Sequence, residues 1–253
     1  MASAMIGALL SGGHAPSEIA VSDKNSEILD LHRENGIFAT ENNLEVCSAD
    51  YVFLAVKPKH LGEVLSEIGP GLSGKNVVSI VAGVKTRRIA SYTDGSCHII
   101  RVMPNTPLLV GKGAVAIAFG DASEEVCREI RELFASRGEV VTVEEELLDA
   151  VTALSGSGPA YFYRIADAFA KRAADHGLDY ETALKLSVAT MAGAAEMMAV
   201  SGKTPETLIR DVSSPGGTTL AALGAFDSAG LEDVLACGVD AALNRSIELS
   251  RGE

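Results

Sequence analysis

Tyr51-Val52-Phe53-Leu54-Ala55-Val56 is an unbroken apolar run, and Lys57-Pro58 follows it directly. A strand that is apolar at every position has no face for water, which is the signature of a parallel sheet covered on both sides. Pro58 has its φ already set for the first turn of a helix. The stretch therefore reads as strand, turn and helix, with Pro70-Gly71 ending the unit. Toward the C-terminus the pattern repeats: a strand over 77–82, a helix near 86–92, a strand over 98–103 and the stiff loop Pro104-Asn105-Thr106-Pro107. A strand over 114–119, a helix over 123–137 and a strand over 140–143 complete it. Toward the N-terminus, 19–23 is a short strand and 26–35 a helix closed by Gly36; 37–40 is another strand, followed by polar Glu41-Asn42-Asn43. Such alternation implies a doubly wound α/β domain over residues 1–146. Residues 2–12 read as a helix already under way, so Met1 falls where a preceding strand and turn belong.

Beyond Glu144–Glu146 the texture changes, and 147–253 reads as all-helical. Phe162, Ile165, Ala166, Phe169 and Ala173 mark one helical face, and Gly177 closes that helix. Asp179 is placed to cap the next, which runs to about Val200 and is apolar almost all round, through Met191-Ala192-Gly193-Ala194-Ala195 and Met197-Met198. A helix of that kind needs cover on every side. The reading is that a second copy of the chain supplies it, making a homodimer.

Asp and Glu total 34 against 21 Lys and Arg, a formal charge of −13. That balance argues against nucleic acid or an anionic membrane surface as partner. No apolar run is read as approaching the ~20 residues that span a bilayer, and no secretory signal is visible at the N-terminus. Cys47, Cys97, Cys127 and Cys237 are scattered singly. They read as reduced thiols of a cytoplasmic protein. Metal-ligand spacing is absent, so no metal is expected.

Five stretches carry candidate chemistry. Asp211-Val212-Ser213-Ser214-Pro215-Gly216-Gly217-Thr218-Thr219 runs into the apolar helix Leu220-Ala221-Ala222-Leu223. Its Pro-Gly-Gly forces a tight turn onto a helix N-terminus, where free amides favour an anion. With hydroxyls on both sides, the bend suits a small carboxylate; the plainer alternative is a well-capped helix. Ala55-Val56-Lys57-Pro58 and Ser79-Ile80-Val81-Ala82-Gly83 lie at carboxyl ends of strands, where open α/β sheets bind ligands. Lys57 is either a phosphate or ribose contact or a solvated charge. Ala82-Gly83 either lets a flat ring approach or simply turns the chain. Asn105, in Arg101-Val102-Met103-Pro104-Asn105-Thr106-Pro107, either holds a carboxamide or makes an Asx turn. Ser155-Gly156-Ser157-Gly158-Pro159-Ala160-Tyr161 interrupts a helical pattern at a cost that asks for a reason. Its serines lack a histidine and acid to activate them, which excludes serine hydrolase chemistry.

Together, Ala55–Pro58, 101–107, 153–161 and 211–219 resemble the pyrroline-5-carboxylate reductases, over the whole chain and in the family's order. The resemblance implies an N-terminal Rossmann-like domain, a C-terminal helical dimerisation and substrate-binding domain, and NAD(P)H-dependent reduction of 1-pyrroline-5-carboxylate to L-proline. It implies that Ser214, Gly216, Gly217, Thr218 and Thr219 hold the substrate, with Thr219 on the ring nitrogen. It also implies that Met1, Ala2, Asn42, Ala55, Val56, Lys57, Pro58, Ala82, Gly83 and Asn105 face the cofactor, and that dimers assemble further. Asp23 is placed to accept from a ribose diol and so favours NADH; Ser22, Lys24 and Asn25 are placed to receive the phosphate of NADPH. The family likeness tips the expectation to NADPH, with some use of NADH.

The family pattern opens with a strand and a glycine-rich turn ending Gly-Asn-Met-Ala, and Met1-Ala2 matches only its end. The expectation is a sheet whose first strand is missing from this chain, through an upstream start or a shortened chain, with weaker cofactor binding. Two other readings stand beside this one. A two-domain dehydrogenase of the 3-hydroxyacid type needs a lysine on the joining helix, and 155–169 has none. A catalytically silent paralogue would dimerise and bind ligand only.

Overall fold

In the computed structural model, which describes residues 1–251, β-branched and aromatic runs become strands and the periodic segments between them become helices. The order is α1 (Ala2–Ser11), β1 (Ala20–Ser22), α2 (Ser26–Glu34), β2 (Phe38–Thr40), β3 (Tyr51–Leu54), α3 (Pro58–Ile68), β4 (Asn76–Ser79), α4 (Thr86–Ala90), β5 (His98–Pro104), β6 (Gly113–Ala118), α5 (Glu124–Ala135) and β7 (Gly138–Thr142). The chain divides into two compact units. One holds residues 1–157 with 242–251, and the other holds 158–241.

The sheet of the first unit is in two pieces. β1 pairs with β2 in parallel, and β3-β4-β5-β6-β7 form the larger piece. Among the described residues, neither β1 nor β3 has a second ladder partner. The larger piece is parallel except where β6 runs antiparallel to β5, with Val102 opposite Ile117. That exception departs from the uniform βαβ winding expected, and its cause is the link between the two strands. The link holds only a 3-10 turn (Thr106–Val110) closed by Gly111 at φ 72°. A parallel return needs a crossover of about a dozen residues or more.

Alternate strand residues feed two cores. Val78, Ile100, Val102 and Ile117 meet Ala4, Met5 and Ala8 of α1 and Ile130 and Phe134 of α5. Val52, Leu54, Val77 and Ile99 meet Leu61 and Leu65 of α3 and Ile89 of α4. Side chains as buried as Leu65 and Phe134 each contribute about 1.5–3 kcal/mol. α1 thus lies on one face of β4 and β5, and α3 on the other.

The joining segment is a 3-10 turn (Glu145–Leu147), α6 (Leu148–Val151) and a π-helical turn (Thr152–Gly156). The second unit comprises α7 (Gly158–Asp175), α8 (Tyr180–Val200), α9 (Pro205–Asp211), α10 (Thr218–Ser228) and the first part of α11 (Leu231–Arg251). α7 packs on α8 through small residues, with Ala166, Ala170 and Ala183 buried. On the apolar face of α7, Phe162 and Phe169 stay largely exposed in the single chain. Gly177, at φ 94°, ends the helix region, and the Asp179 carboxylate accepts from the Thr182 amide at 2.9 Å to start α8. In the single chain, Leu186, Val188, Met197, Met198 and Val200 of α8 are each more than half exposed. By length and composition alone, α8 is apolar enough to cross a membrane, which corrects the expectation that no run approaches that length. Its scattered threonines, serine and glutamates hide this in the linear pattern.

Three polar contacts fasten the joining segment and the end of α11 to the sheet. The Glu145 carboxylate accepts from the Thr86 amide (2.7 Å), the Thr86 hydroxyl (2.8 Å) and Nη1 of buried Arg101 (3.2 Å). The buried Ser246 hydroxyl donates to Asp149 at 2.6 Å. Asn105 donates to the Ser155 carbonyl at 3.1 Å and accepts from the Ala114 amide at 2.9 Å. Burial of Glu145 opposes its charge, but the Thr86 hydrogen bonds and the Arg101 guanidinium outweigh that, and its pKa is lowered. Because folding depresses this pKa, the stabilisation is complete above the unfolded-state value and is lost as pH falls through the folded one. Glu145→Gln should therefore cost about 2–3 kcal/mol at neutral pH. In urea titrations the gap from the unsubstituted protein should close as pH drops below the ordinary carboxylate range. A gap that stays constant with pH would mean that the charge contributes nothing.

Candidate functional site

Parallel strands end on the same edge of their sheet, so the residues that follow them are brought into register by topology alone. Ala55 to Pro58 follow β3, Ala82 and Gly83 follow β4, and Asn105 follows β5. Asp23 and Lys24 follow β1, and Asn42 follows β2. Each candidate cofactor residue of the sheet therefore sits at the carboxyl end of its own strand. Met1 and Ala2 stand at the start of α1, which has no side-chain cap and no acidic residue in its first turn. Among the described residues no side chain caps its first amides, the kind of helix start at which anions bind.

At several of these positions the structure specifies what the side chain already does. Asp23 accepts from the Asn25 amide at 2.9 Å, and the Lys24 ammonium donates to the Glu41 carbonyl at 2.9 Å. Asn25 caps α2 through the Glu27 amide at 3.0 Å. Ser22 donates to Asn43 at 2.6 Å, and Asn43 donates to Glu67 at 2.7 Å. Asn42 caps the turn after β2, accepting from the Leu44 amide at 3.0 Å. Lys57 is exposed at the N-cap of α3, with Pro58 at its first position.

Two readings change. Asn105 is buried and makes no local Asx turn; its amide ties the end of β5 to β6 and to the π-helical turn. Gly83, at φ 70°, is buried, and a Cβ there would lie 3.2 Å from backbone atoms of Leu249 and Ser250. The close approach that its missing side chain allows is therefore that of the end of α11. The costly Gly156 has a similar explanation. The π-helical turn brings it against β5, where a Cβ would meet the Met103 methyl at 2.5 Å. The interruption is a widened turn rather than a break.

In the second unit, the bend before α10 has the expected form. Gly216 has φ 70°, and a Cβ on Gly217 would lie 2.5 Å from Oγ and 3.0 Å from the carbonyl oxygen of Ser214. The Gly217 amide donates to the Ser214 carbonyl at 2.9 Å, closing the turn. α10 starts at Thr218 with Gly217 as N-cap and no side-chain cap, so the well-capped alternative does not hold. Ser214, Pro215, Gly216 and Thr218 are exposed, and Gly217 and Thr219 are half-buried. Ser213 leaves the hydroxyl cluster, donating to the Ile209 carbonyl at 2.7 Å. The nearby cation Lys203 is paired with Asp211 at 2.7 Å, a contact that lowers the Asp211 pKa.

A Gly-x-Gly-x-x-Gly string does occur, at Gly69-Pro70-Gly71-Leu72-Ser73-Gly74, but it leads from α3 into β4. Dinucleotide fingerprints run the other way, from strand to helix. Gly69 instead gives room to the Tyr92 carbonyl. Glu145, Thr86 and the Arg101 guanidinium carry no separate signal in the sequence. Glu145 stands in an acidic triplet that reads as a boundary, and its partners are distant in the chain. Among the described residues no cluster of metal-ligating side chains occurs.

Comparison with known proteins adds an independent line. Residues 145–249 match the family described as "Pyrroline-5-carboxylate reductase dimerisation", and residues 1–83 match "NADP oxidoreductase coenzyme F420-dependent". The pyrroline-5-carboxylate reductase of Corynebacterium melassecola is 37% identical, over 98% of this chain and 94% of its own length. The solved structure of a pyrroline-5-carboxylate reductase from Coxiella burnetii superposes with a TM-score of 0.91 at 33% identity, covering 98% of this chain and 94% of its own. The pyrroline carboxylate reductase of Plasmodium falciparum, solved with NADP bound, gives 0.86 at 25% identity, over 98% of this chain and 94% of its own. With full-length likeness in sequence and in fold, this chain belongs to the pyrroline-5-carboxylate reductase family.

Proposed function

We propose that this chain reduces 1-pyrroline-5-carboxylate to L-proline with NADPH, the last step of proline biosynthesis, and accepts NADH less well. The observation that carries the reading is the bend Ser214–Thr219 ahead of an uncapped α10. Ring and carboxylate of the substrate are small, and the bend offers main-chain donors without a competing cap. In this reading, Gly216 and Thr218 hold the carboxylate through N–H groups, Gly217 closes the turn that presents them, and the Ser214 hydroxyl lies beside them. Thr219 orients the ring nitrogen through its hydroxyl. Positioning of this kind is most of what the protein must contribute, because no side-chain acid or nucleophile is required at the carbon that changes.

The cofactor site of the proposal is the carboxyl edge of the sheet: Ala55, Val56, Lys57, Pro58, Ala82, Gly83 and Asn105, with Asp23, Lys24 and Asn42 toward the ribose end. Met1 and Ala2 lead α1, whose uncapped N-terminus fits a pyrophosphate. Bound there, the reduced nicotinamide supplies the hydride that the imine carbon accepts. On this reading residues 1–146 bind the dinucleotide, and 147–253 bind the substrate and dimerise.

The exposed apolar face of α8 supports a homodimer in which two copies cover each other, since patches of that extent mark interaction surfaces. Further assembly of dimers follows the family likeness. Cys47, Cys97, Cys127 and Cys237 are all unpaired, which supports a reducing, cytoplasmic setting.

Purified protein should oxidise NADPH only when pyrroline-5-carboxylate is present, with L-proline as product by chromatography. No turnover would leave the silent-paralogue reading in its place. Gly217→Ala should raise the KM for pyrroline-5-carboxylate roughly tenfold, about 1.4 kcal/mol, with the KM for NADPH unchanged. Thr219→Val should lower kcat/KM by roughly tenfold or more, the loss of one oriented hydrogen bond; unchanged kinetics would remove that role. Leu186→Glu should shift the mass measured by light scattering toward the single chain, and an unchanged mass would place the interface elsewhere.

A further inference from the structure

The turn that ends β4 is held from two sides, and both holds trace to one short segment. On one side, Glu145 accepts from the amide of Thr86, the first residue of α4, and from its hydroxyl. α4 has no cap of its own, because Lys85 at its N-cap position makes no side-chain hydrogen bond. A carboxylate 59 residues further along the chain therefore does the work of an N-cap. On the other side, backbone of Leu249 and Ser250 lies against Gly83, so closely that a Cβ would sit 3.2 Å away. That end of α11 is pinned by Ser246, whose buried hydroxyl donates to Asp149 at 2.6 Å. Glu145 and Asp149 are one helical turn apart in the joining segment. The segment is itself secured to β5 through Arg101, whose guanidinium is buried and meets Glu145 at 3.2 Å.

We propose that Glu145 and Asp149 are positioning residues that set the Ala82–Lys85 turn for the nucleotide, Glu145 through Thr86 and Asp149 through Ser246 and the end of α11. The inference rests on the reading of Ala82 and Gly83 as cofactor contacts. Neither acid touches the cofactor in this account; each fixes backbone that does. Slack in either hold lets the turn move, and a displaced turn weakens a contact made by main chain. The substrate bend is built from 214–219 in the other unit, so the effect falls on one ligand and not the other.

The experiment compares Glu145→Gln, Thr86→Ala and Ser246→Ala with Phe134→Ala, a destabilised control whose side chain is buried on α5 in the core on the other face of the sheet. Each variant is assayed for KM toward NADPH and toward pyrroline-5-carboxylate, for kcat, and for NADPH binding by the rise in its fluorescence. The expected result is a KM for NADPH raised roughly five- to tenfold in all three variants, or about 1–1.4 kcal/mol. Their KM for pyrroline-5-carboxylate and their kcat at saturating NADPH should stay within about twofold. Phe134→Ala should lose thermal stability with no change in the KM for NADPH. If Glu145→Gln does not fold, Thr86→Ala and Ser246→Ala decide the matter. An unchanged NADPH KM in the folded variants, or an equal rise in Phe134→Ala, overturns the inference while the reductase reading stands. Unsubstituted protein that gives no NADPH fluorescence rise overturns the cofactor reading and the inference with it.

Discussion

A guanidinium taken out of water must have a negative partner, because an uncompensated buried charge costs several kcal/mol. Arg101 lies in the middle of β5 and is 7% exposed, with Nε lacking any partner. Its answer is Glu145, brought from the segment that follows β7. That one pairing dictates where the joining segment lies. With Glu145 fixed on Arg101 and Thr86, Asp149 falls where it receives Ser246, and the π-helical turn falls where Asn105 reaches its Ser155 carbonyl. The stiff loop after β5, the start of α4 and the end of α11 all take their places from a charge that the sheet cannot leave alone.

On the proposed reading, the two candidate sites meet a shared problem, the recognition of anionic ligands by a chain of formal charge −13, in the same way. Both use the start of a helix without a side-chain cap, at Met1–Ala2 and at Gly217–Thr218. Main-chain donors are indifferent to the net charge of the molecule and cost no side-chain ordering. Cations near the second site are accounted for, since Lys203 is held by Asp211. Small residues then do the shaping: Gly216 supplies a left-handed turn and Gly217 room beside Ser214.

How far the sequence could be read depends on whether the signal was local. The run at 51–56, the Pro58 helix start, Gly177 and the Asp179 cap all declare themselves within a few residues, and the structure has them where they are expected. The 211–219 bend is local in the same sense. The antiparallel β6 was readable in principle, because the link from β5 has no room for a crossover helix. Other features depend on pairs far apart in sequence. Nothing near Glu145 announces Thr86 or Arg101, and nothing near Gly83 announces Leu249. Gly83 and Asn105 are instructive: both were noticed for their unusual residue type, yet each is explained first by chain packing on chain. Phe162 and Phe169 lie on the face that periodicity marks and are exposed in the single chain, since periodicity identifies an apolar face without saying what covers it.

The widened turn at Thr152–Gly156 has a geometric consequence for everything after it. A regular α-helix advances about 100° per residue, and a π-type turn accommodates one residue more than the ladder would otherwise hold. Excising a single residue there, with the ladder made regular, would leave α6 continuous with α7 and sound as a helix. It would nevertheless turn Ser155 and Gly156 about 100° around the axis relative to α6, taking the Ser155 carbonyl from Asn105 and Gly156 from Met103. The length of this stretch thus acts as a dial for azimuth. That makes its residue number as constrained as its residue types.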